Sequence, residues 1–207
     1  MPYTDNDGTR IHYHVEGSGP PLILQHGFTS SLENWYVYGY VAPLKAAYRL
    51  VLIDARGHGK SDKPHDPAEY DLKLRVNDVT SVLDDLGIDK AHYLGYSMGG
   101  RIGFGIALHA PDRVNSLMIG GMHPYDTGGN ATPSDRVTFL SQGMEAYVAN
   151  TESQSGPTEP QRRARLLAND PQALIAAITA PRGTSGDVLA TMTMPCLLYV
   201  GEADGFF

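Results

Sequence analysis

The chain has 207 residues, the size of one globular domain, with 16 Lys+Arg against 23 Asp+Glu and a formal net charge of −7. That acidity argues against broad binding to nucleic acid or anionic membrane, and 42% hydrophobic with 19% charged residues is too apolar for a disordered segment. The lone Cys196 excludes an internal disulfide or a Cys-based metal cluster, and neither a signal peptide nor an apolar run of membrane-spanning length is visible, so a soluble cytoplasmic protein is expected.

In chain order, Asn6-Asp7-Gly8 is a turn signal, and Arg10 to Val15 alternate in the period-2 manner of a half-exposed strand. After the breaker Gly17-Ser18-Gly19-Pro20-Pro21, the short apolar run Leu22-Ile23-Leu24 reads as a strand covered on both faces. A helix is predicted from about Leu32 to Ala47, then a buried strand Leu50–Ile53 ending at Asp54. Leu72, Val76, Val79, Val82, Leu83 and Leu86 have helical spacing, with Gly87 as the stop. Ala91–Gly95 is the next strand, Gly99–Ala110 the next helix, and Val114–Ile119 a further strand. Strands alternating with helices predict an α/β fold, a mostly parallel sheet with helices on both faces. Residues 121–190 change rhythm, with helix candidates Val137–Asn150, Gln161–Leu167 and Gln172–Ala180 and no buried strand. They read as a helical cap inserted into a core made of residues 1–120 and of 191–207, which hold a return strand at Pro195–Gly201 and a loop carrying Asp204.

The sharpest motif is Gly95-Tyr96-Ser97-Met98-Gly99, a G-x-S-x-G between a predicted strand and a predicted helix. Such a turn strains its central residue and admits only small neighbours, which Gly95, Gly99 and Gly100 supply; it lifts the Ser97 hydroxyl beside the positive end of the helix. His26-Gly27-Phe28 ends the first buried strand. Acyl transfer places a negative charge on the former carbonyl oxygen, and two preorganised N–H groups, those of Met98 and Phe28, would form an oxyanion hole for it. The polar, glycine-rich stretch Asp54 to Asp62 reads as a brace for these loops rather than as a source of a base, His58 included. Trp35, Tyr96, Met122 and Tyr125, with Phe28 and Met98, are candidates to line an apolar substrate pocket, although each alone would be ordinary core.

These blocks, in this order, resemble the α/β-hydrolase superfamily, in its branch of small capped serine esterases, lactonases and C–C bond hydrolases. The resemblance implies Ser97 as nucleophile, the Phe28 and Met98 amides as oxyanion donors, and Asp204 as the acid that orients a histidine, with Asp126 as a weaker alternative. Serine at the elbow, where some relatives carry Asp, speaks against dehalogenase or epoxide hydrolase chemistry. The family order is Ser, acid, His, yet all eight histidines precede Asp204. His26 suits scaffolding better than catalysis and His123 is a second-rank candidate, so the base is expected beyond residue 207, from a segment acting as a second polypeptide if it is separate, and this chain alone is expected to be inactive.

The function expected is therefore ester-type hydrolysis of a small, largely apolar ester or acyl substrate through a Ser97 acyl-enzyme. A non-catalytic ligand-binding or sensor protein on the same fold is the alternative. Neither a Gly-x-Gly-x-x-Gly after the first strand nor a His/Cys cluster is present, so no metal or organic cofactor is implied, and no nucleic-acid or membrane partner.

Overall fold

The computed structural model describes residues 2–124, 133–181, 188–202 and 204. The chain opens with a hairpin of β1 (Tyr3–Asn6) and β2 (Thr9–Glu16), joined through Asp7 and Gly8 at φ of 51° and 85°, a two-residue turn whose handedness matches strand twist. It continues through β3 (Pro21–Gln25), α1 (Glu33–Val37), α2 (Val41–Leu44), β4 (Arg49–Ile53), α3 (Leu72–Asp85), β5 (Ala91–Tyr96), α4 (Met98–His109) and β6 (Val114–Gly120). Then come α5 (Pro133–Ser141), α6 (Met144–Ser155), α7 (Pro160–Leu167), α8 (Pro171–Thr179), α9 (Val188–Thr191) and β7 (Cys196–Tyr199). The seven strands form one sheet in the order β1-β2-β4-β3-β5-β6-β7; pairs β1–β2 and β2–β4 are antiparallel and the rest parallel.

Strand alternation divides the core between the two faces. Ile23, Val51, Ile53 and Tyr93 point into one cluster with Val76, Val79 and Val82 of α3 and Ile102, Phe104 and Ile106 of α4. Their neighbours Leu22, Leu24, Leu50, Leu52 and Leu94 point the other way, against Leu32, Trp35 and Val41. Helices thus cover both faces, which is why these strands are apolar runs and not alternating ones. Asp71 caps α3 by accepting from the Lys73 N–H at 2.8 Å.

Three sequence expectations change. The helix expected over 32–47 is two short ones, because Gly39 sits at φ 77° between them. The expected Val137–Asn150 helix is split at Gly143, φ 105°, into α5 and α6. The return strand expected at Pro195–Gly201 is the shorter β7, Cys196–Tyr199, at the edge of the sheet with Leu197 58% and Leu198 50% exposed. Of the candidates named above, Tyr125 and Asp126 lie outside the described residues.

Candidate active site

Ser97 follows the last residue of β5 and stands immediately before α4 at φ 52°, ψ −113°, a backbone conformation that side-chain-bearing residues rarely adopt. Its own N–H donates to Gly120 O at 2.8 Å, and its carbonyl accepts from Arg101 N–H at 3.0 Å, fixing the turn from both sides. The glycines are required by space. A Cβ on Gly99 would lie 2.2 Å from Gln25 O, and one on Gly95 2.3 Å from Gly99 O, both backbone atoms that cannot give way. The helix therefore packs hard against the ends of β3 and β5 and leaves Ser97 at the carboxyl edge of the sheet.

The loop after β3 meets the serine there. A Cβ on Gly27 would sit 3.4 Å from Ser97 Cβ, so the absence of a side chain lets the loop backbone lie against Ser97. Phe28 follows, then Thr29 at φ 60°. Asn169, between α7 and α8, donates through Nδ2 to Thr29 O at 3.1 Å and also to Leu166 O at 3.0 Å, tying this loop to the helical segment.

Behind the loop a buried polar brace fixes its position. Asp54, at the end of β4, accepts at Oδ1 from the Leu32 N–H (2.8 Å) and at Oδ2 from the Lys60 N–H (3.0 Å), and pairs with His12 Nδ1 (2.8 Å). Burial pushes the Asp54 carboxyl up, but the bonds from His12, Leu32 and Lys60 together hold it below its usual value. Ser61 Oγ bridges Asp54 O at 2.6 Å and the His12 N–H at 2.8 Å. Gly59, at φ 54°, leaves the space this carboxylate occupies: a Cβ there would be 2.2 Å from its carbon.

His26 belongs to the brace. Its Nε2 accepts the Ala55 N–H at 3.1 Å, so the proton is on Nδ1, which donates to Gly27 O at 2.8 Å. Although Asp54 Oδ1 is 3.9 Å from Nε2, this is no ion pair: Nε2 is unprotonated, and burial lowers the ring's pKa despite the carboxylate. His58 is fully buried, with Nδ1 on Arg56 O at 3.1 Å and its ring edge-on to Phe28 at 5.7 Å; burial drives its pKa down to about 3. Both rings are buried within this brace.

Two cavities meet at Ser97 and Phe28. The smaller, about 140 Å³, is also lined by Met98, Ile102 and Met122 and by Arg75, Arg101 and Arg136. The larger, about 630 Å³, is walled by Trp35, Tyr38, Tyr40, Tyr96 and Tyr199, with Arg162 and Arg165 from α7. The structure thus brings together Ser97, Phe28, Met98, Trp35, Tyr96 and Met122. Asp204 sits beyond β7 in a turn closed by its N–H on Gly201 O at 3.0 Å and lines neither cavity. His12 is held on Asp54, and His92 Nδ1 bonds Ser116 Oγ at 2.7 Å.

Sequence reasoning missed the arginines and Asn169. Arg75 had a signal: it occupies one place in the helical series Leu72, Arg75, Val79, Val82, where a charge facing the core calls for an explanation. Arg101 lies four residues after Ser97, hence one turn along on the same side of α4. Asn169 had no local signal, because its partner Thr29 is 140 residues away.

The family model described as "alpha/beta hydrolase fold" matches residues 20–190. The chain belongs to this family. It is 34% identical over 161 residues to the putative 2-succinyl-6-hydroxy-2,4-cyclohexadiene-1-carboxylate synthase of Bacillus subtilis (strain 168), covering 72% of this chain and 57% of that protein. It is 37% identical over 149 residues to a 2-hydroxy-6-oxononadienedioate/2-hydroxy-6-oxononatrienedioate hydrolase of Burkholderia vietnamiensis, covering 69% of this chain and 49% of that one. The chain thus spans about half the length of these curated relatives. A hydrolase from Pseudomonas aeruginosa PA01 superposes with a TM-score of 0.86 at 29% identity, over 99% of this chain and 81% of that one. Among the described residues of this hydrolase-family chain, no helix is long and apolar enough to cross a membrane.

Proposed function

We propose that the chain carries the nucleophile and oxyanion site of a serine hydrolase that cleaves a small ester or related acyl substrate through a Ser97 acyl-enzyme. The observation behind this is the strained serine, φ 52°, pressed against Gly27 at the meeting point of two cavities. Its likeness to named hydrolases points the same way.

In this reading Ser97 Oγ adds to the substrate carbonyl, and the oxygen that gains charge lies between the Phe28 and Met98 N–H groups. Met98 is the first residue of α4, where a backbone N–H has no partner within the helix. Each such donor is worth about 3 kcal/mol of transition-state stabilisation. The serine needs a base to take its proton. With His26 and His58 held in the brace, the reading places that base outside the described residues and gives Asp204 the task of orienting it. Helices α5–α8 act as a cap that closes over the cavities, and Trp35, Tyr96 and Met122 shape the pocket.

A fluorophosphonate probe followed by peptide mass spectrometry tests the assignment. Ser97 should be the modified residue and Ser97→Ala should take up no label. Labelling elsewhere, or equal uptake by Ser97→Ala, contradicts it. Because the base is placed outside the described residues, labelling without turnover of 4-nitrophenyl butyrate agrees with this reading, and turnover by this chain alone would contradict that placement.

A further inference from the structure

The loop that carries Phe28 is fastened to the core at its ends and to the helical segment at its tip. At the ends, His26 Nδ1 donates to Gly27 O at 2.8 Å and the Leu32 N–H donates to Asp54 Oδ1 at 2.8 Å. The Ser30 N–H closes the turn between them onto Gly27 O at 3.2 Å. The tip belongs elsewhere. The Phe28 ring packs on Leu140, Met144, Leu174 and Ile178, and every other described member of that cluster comes from α5–α8. Thr29 O accepts from Asn169 Nδ2 at 3.1 Å. That nitrogen also donates to Arg165 O at 3.2 Å and Leu166 O at 3.0 Å, carbonyls of the last turn of α7. It is therefore oriented by its own helix end and gives up little further freedom in reaching Thr29. Thr29 is a β-branched residue at φ 60°, a conformation kept only where the surroundings hold it. Its hydroxyl donates to Phe28 O at 2.7 Å, within the loop. Among the described residues, the hydrogen bond that reaches Thr29 from outside the loop comes from Asn169.

We propose that Asn169 is a positioning residue: acting through Thr29, it holds the Phe28 N–H in place, so that the oxyanion site is complete only while α7 and α8 lie against the loop. The Phe28 N–H shares a planar peptide with Gly27 O, so its direction follows from what holds the two ends of that plane. His26 holds one end from the core. The other end is Phe28 Cα, kept by its ring in the helical cluster and by the strained Thr29 that follows. Without Asn169, Thr29 is free to leave positive φ, and Phe28 swings with it. A donor shifted by about 1 Å from a developing charge forfeits much of its effect. The helical segment thus does more than cover the cavities. A substrate that enters by displacing α7 and α8 meets an incomplete site, and their return restores the second donor. The inference rests on the Ser97 reading for the purpose of the Phe28 N–H, and not for the link between Asn169 and Phe28.

Fluorophosphonate labelling of the full chain over a range of probe concentrations separates the probe's affinity from its maximal rate of reaction. Asn169→Ala should lower the maximal rate about tenfold or more and change the affinity by less than about twofold. A tether that merely kept the helices shut would give the opposite sign, faster labelling as the site opens. His65→Ala is the control, because it frees the adjacent Asp170 without touching the loop, and it should keep the parent's maximal rate. Asn169→Ser, with a hydroxyl for the α7 carbonyls on an arm too short for Thr29, should show the same loss and decides if Asn169→Ala does not fold. Labelling of the Asn169 variants at the parent's rate or faster, a loss confined to affinity, or an equal loss in His65→Ala would overturn the proposal. Nitrogen-15 relaxation reads the link without chemistry. The Phe28 and Thr29 N–H order parameters should drop from about 0.85 to about 0.6 or lower in the Asn169 variants and stay high in His65→Ala. If they drop so while the parent chain fails to label at Ser97, the link stands and the nucleophile assignment falls. Labelling at Ser97 with both amides still rigid in the Asn169 variants does the reverse.

Discussion

Behind Ser97 the loop after β4 is wired by buried polar groups onto a sheet with apolar residues on both faces, whereas α5–α8 in front rest on a small cluster and a few polar tethers. The first region holds Asp54 with three partners from three segments, His26 in a single tautomer, and the two sheet-face clusters. The second has Leu140, Met144, Leu174 and Ile178 as its buried centre, with Phe28 packed against it. Its tethers are Asn169 to Thr29 O, Arg75 to Ala177 O, and His65 to Asp170 at 3.0 Å. The contrast teaches a division of labour. In the proposed reading, the groups that meet a developing charge stand on the densely wired part, and the part that a substrate passes is held by contacts of low individual worth.

The largest effect should come from the platform. Gly99→Ala drives a Cβ into Gln25 O and should cost about 3 kcal/mol or more in urea denaturation, since overpacking against backbone finds no relief. A loss below about 1 kcal/mol would mean the elbow yields easily and the contrast is false. Next is acid sensitivity. His58 is buried neutral with a pKa near 3, against 6.5 when unfolded, so the unfolded chain binds the extra proton and stability falls as pH drops through that window. From pH 6.5 to 5 the loss due to this ring should be about 1.6 kcal/mol, and His58→Leu should flatten the slope by up to one proton's worth. His26, also lowered, steepens the same decline, while the depressed carboxyl of Asp54 adds its loss only below its ordinary value of 3.8. An unchanged slope in His58→Leu would locate the acid sensitivity elsewhere.

Smaller effects test the front. Asn169→Ala should cost about 1 kcal/mol and speed amide exchange in α7 and α8 without altering β3–β6. Equal acceleration in both regions would show that helices and sheet open as one unit. The His65–Asp170 pair is solvent-facing, so His65→Ala should change stability by no more than about 0.5 kcal/mol.

Most of the sheet was legible because its strands are apolar runs punctuated by glycine, proline or a polar turn, and the elbow because G-x-S-x-G stood between a strand and a helix. The brace was legible only as a kind of loop. That Asp54 would reach His12, Leu32 and Lys60 depends on how distant segments fold together. The breaks at Gly39 and Gly143 escaped because helical spacing continues across them, while the backbone turns there to positive φ. The arginines around the smaller cavity come from three helices, and no window of sequence contains more than one of them.

The most direct test is a crystal structure of the chain carrying a phosphonyl group on Ser97. The account predicts a phosphonyl oxygen within about 3 Å of both the Phe28 and Met98 amide nitrogens, with Ser97 still at positive φ. An oxygen turned towards solvent or bound by only one of these amides, or a serine relaxed into ordinary backbone geometry, would contradict it.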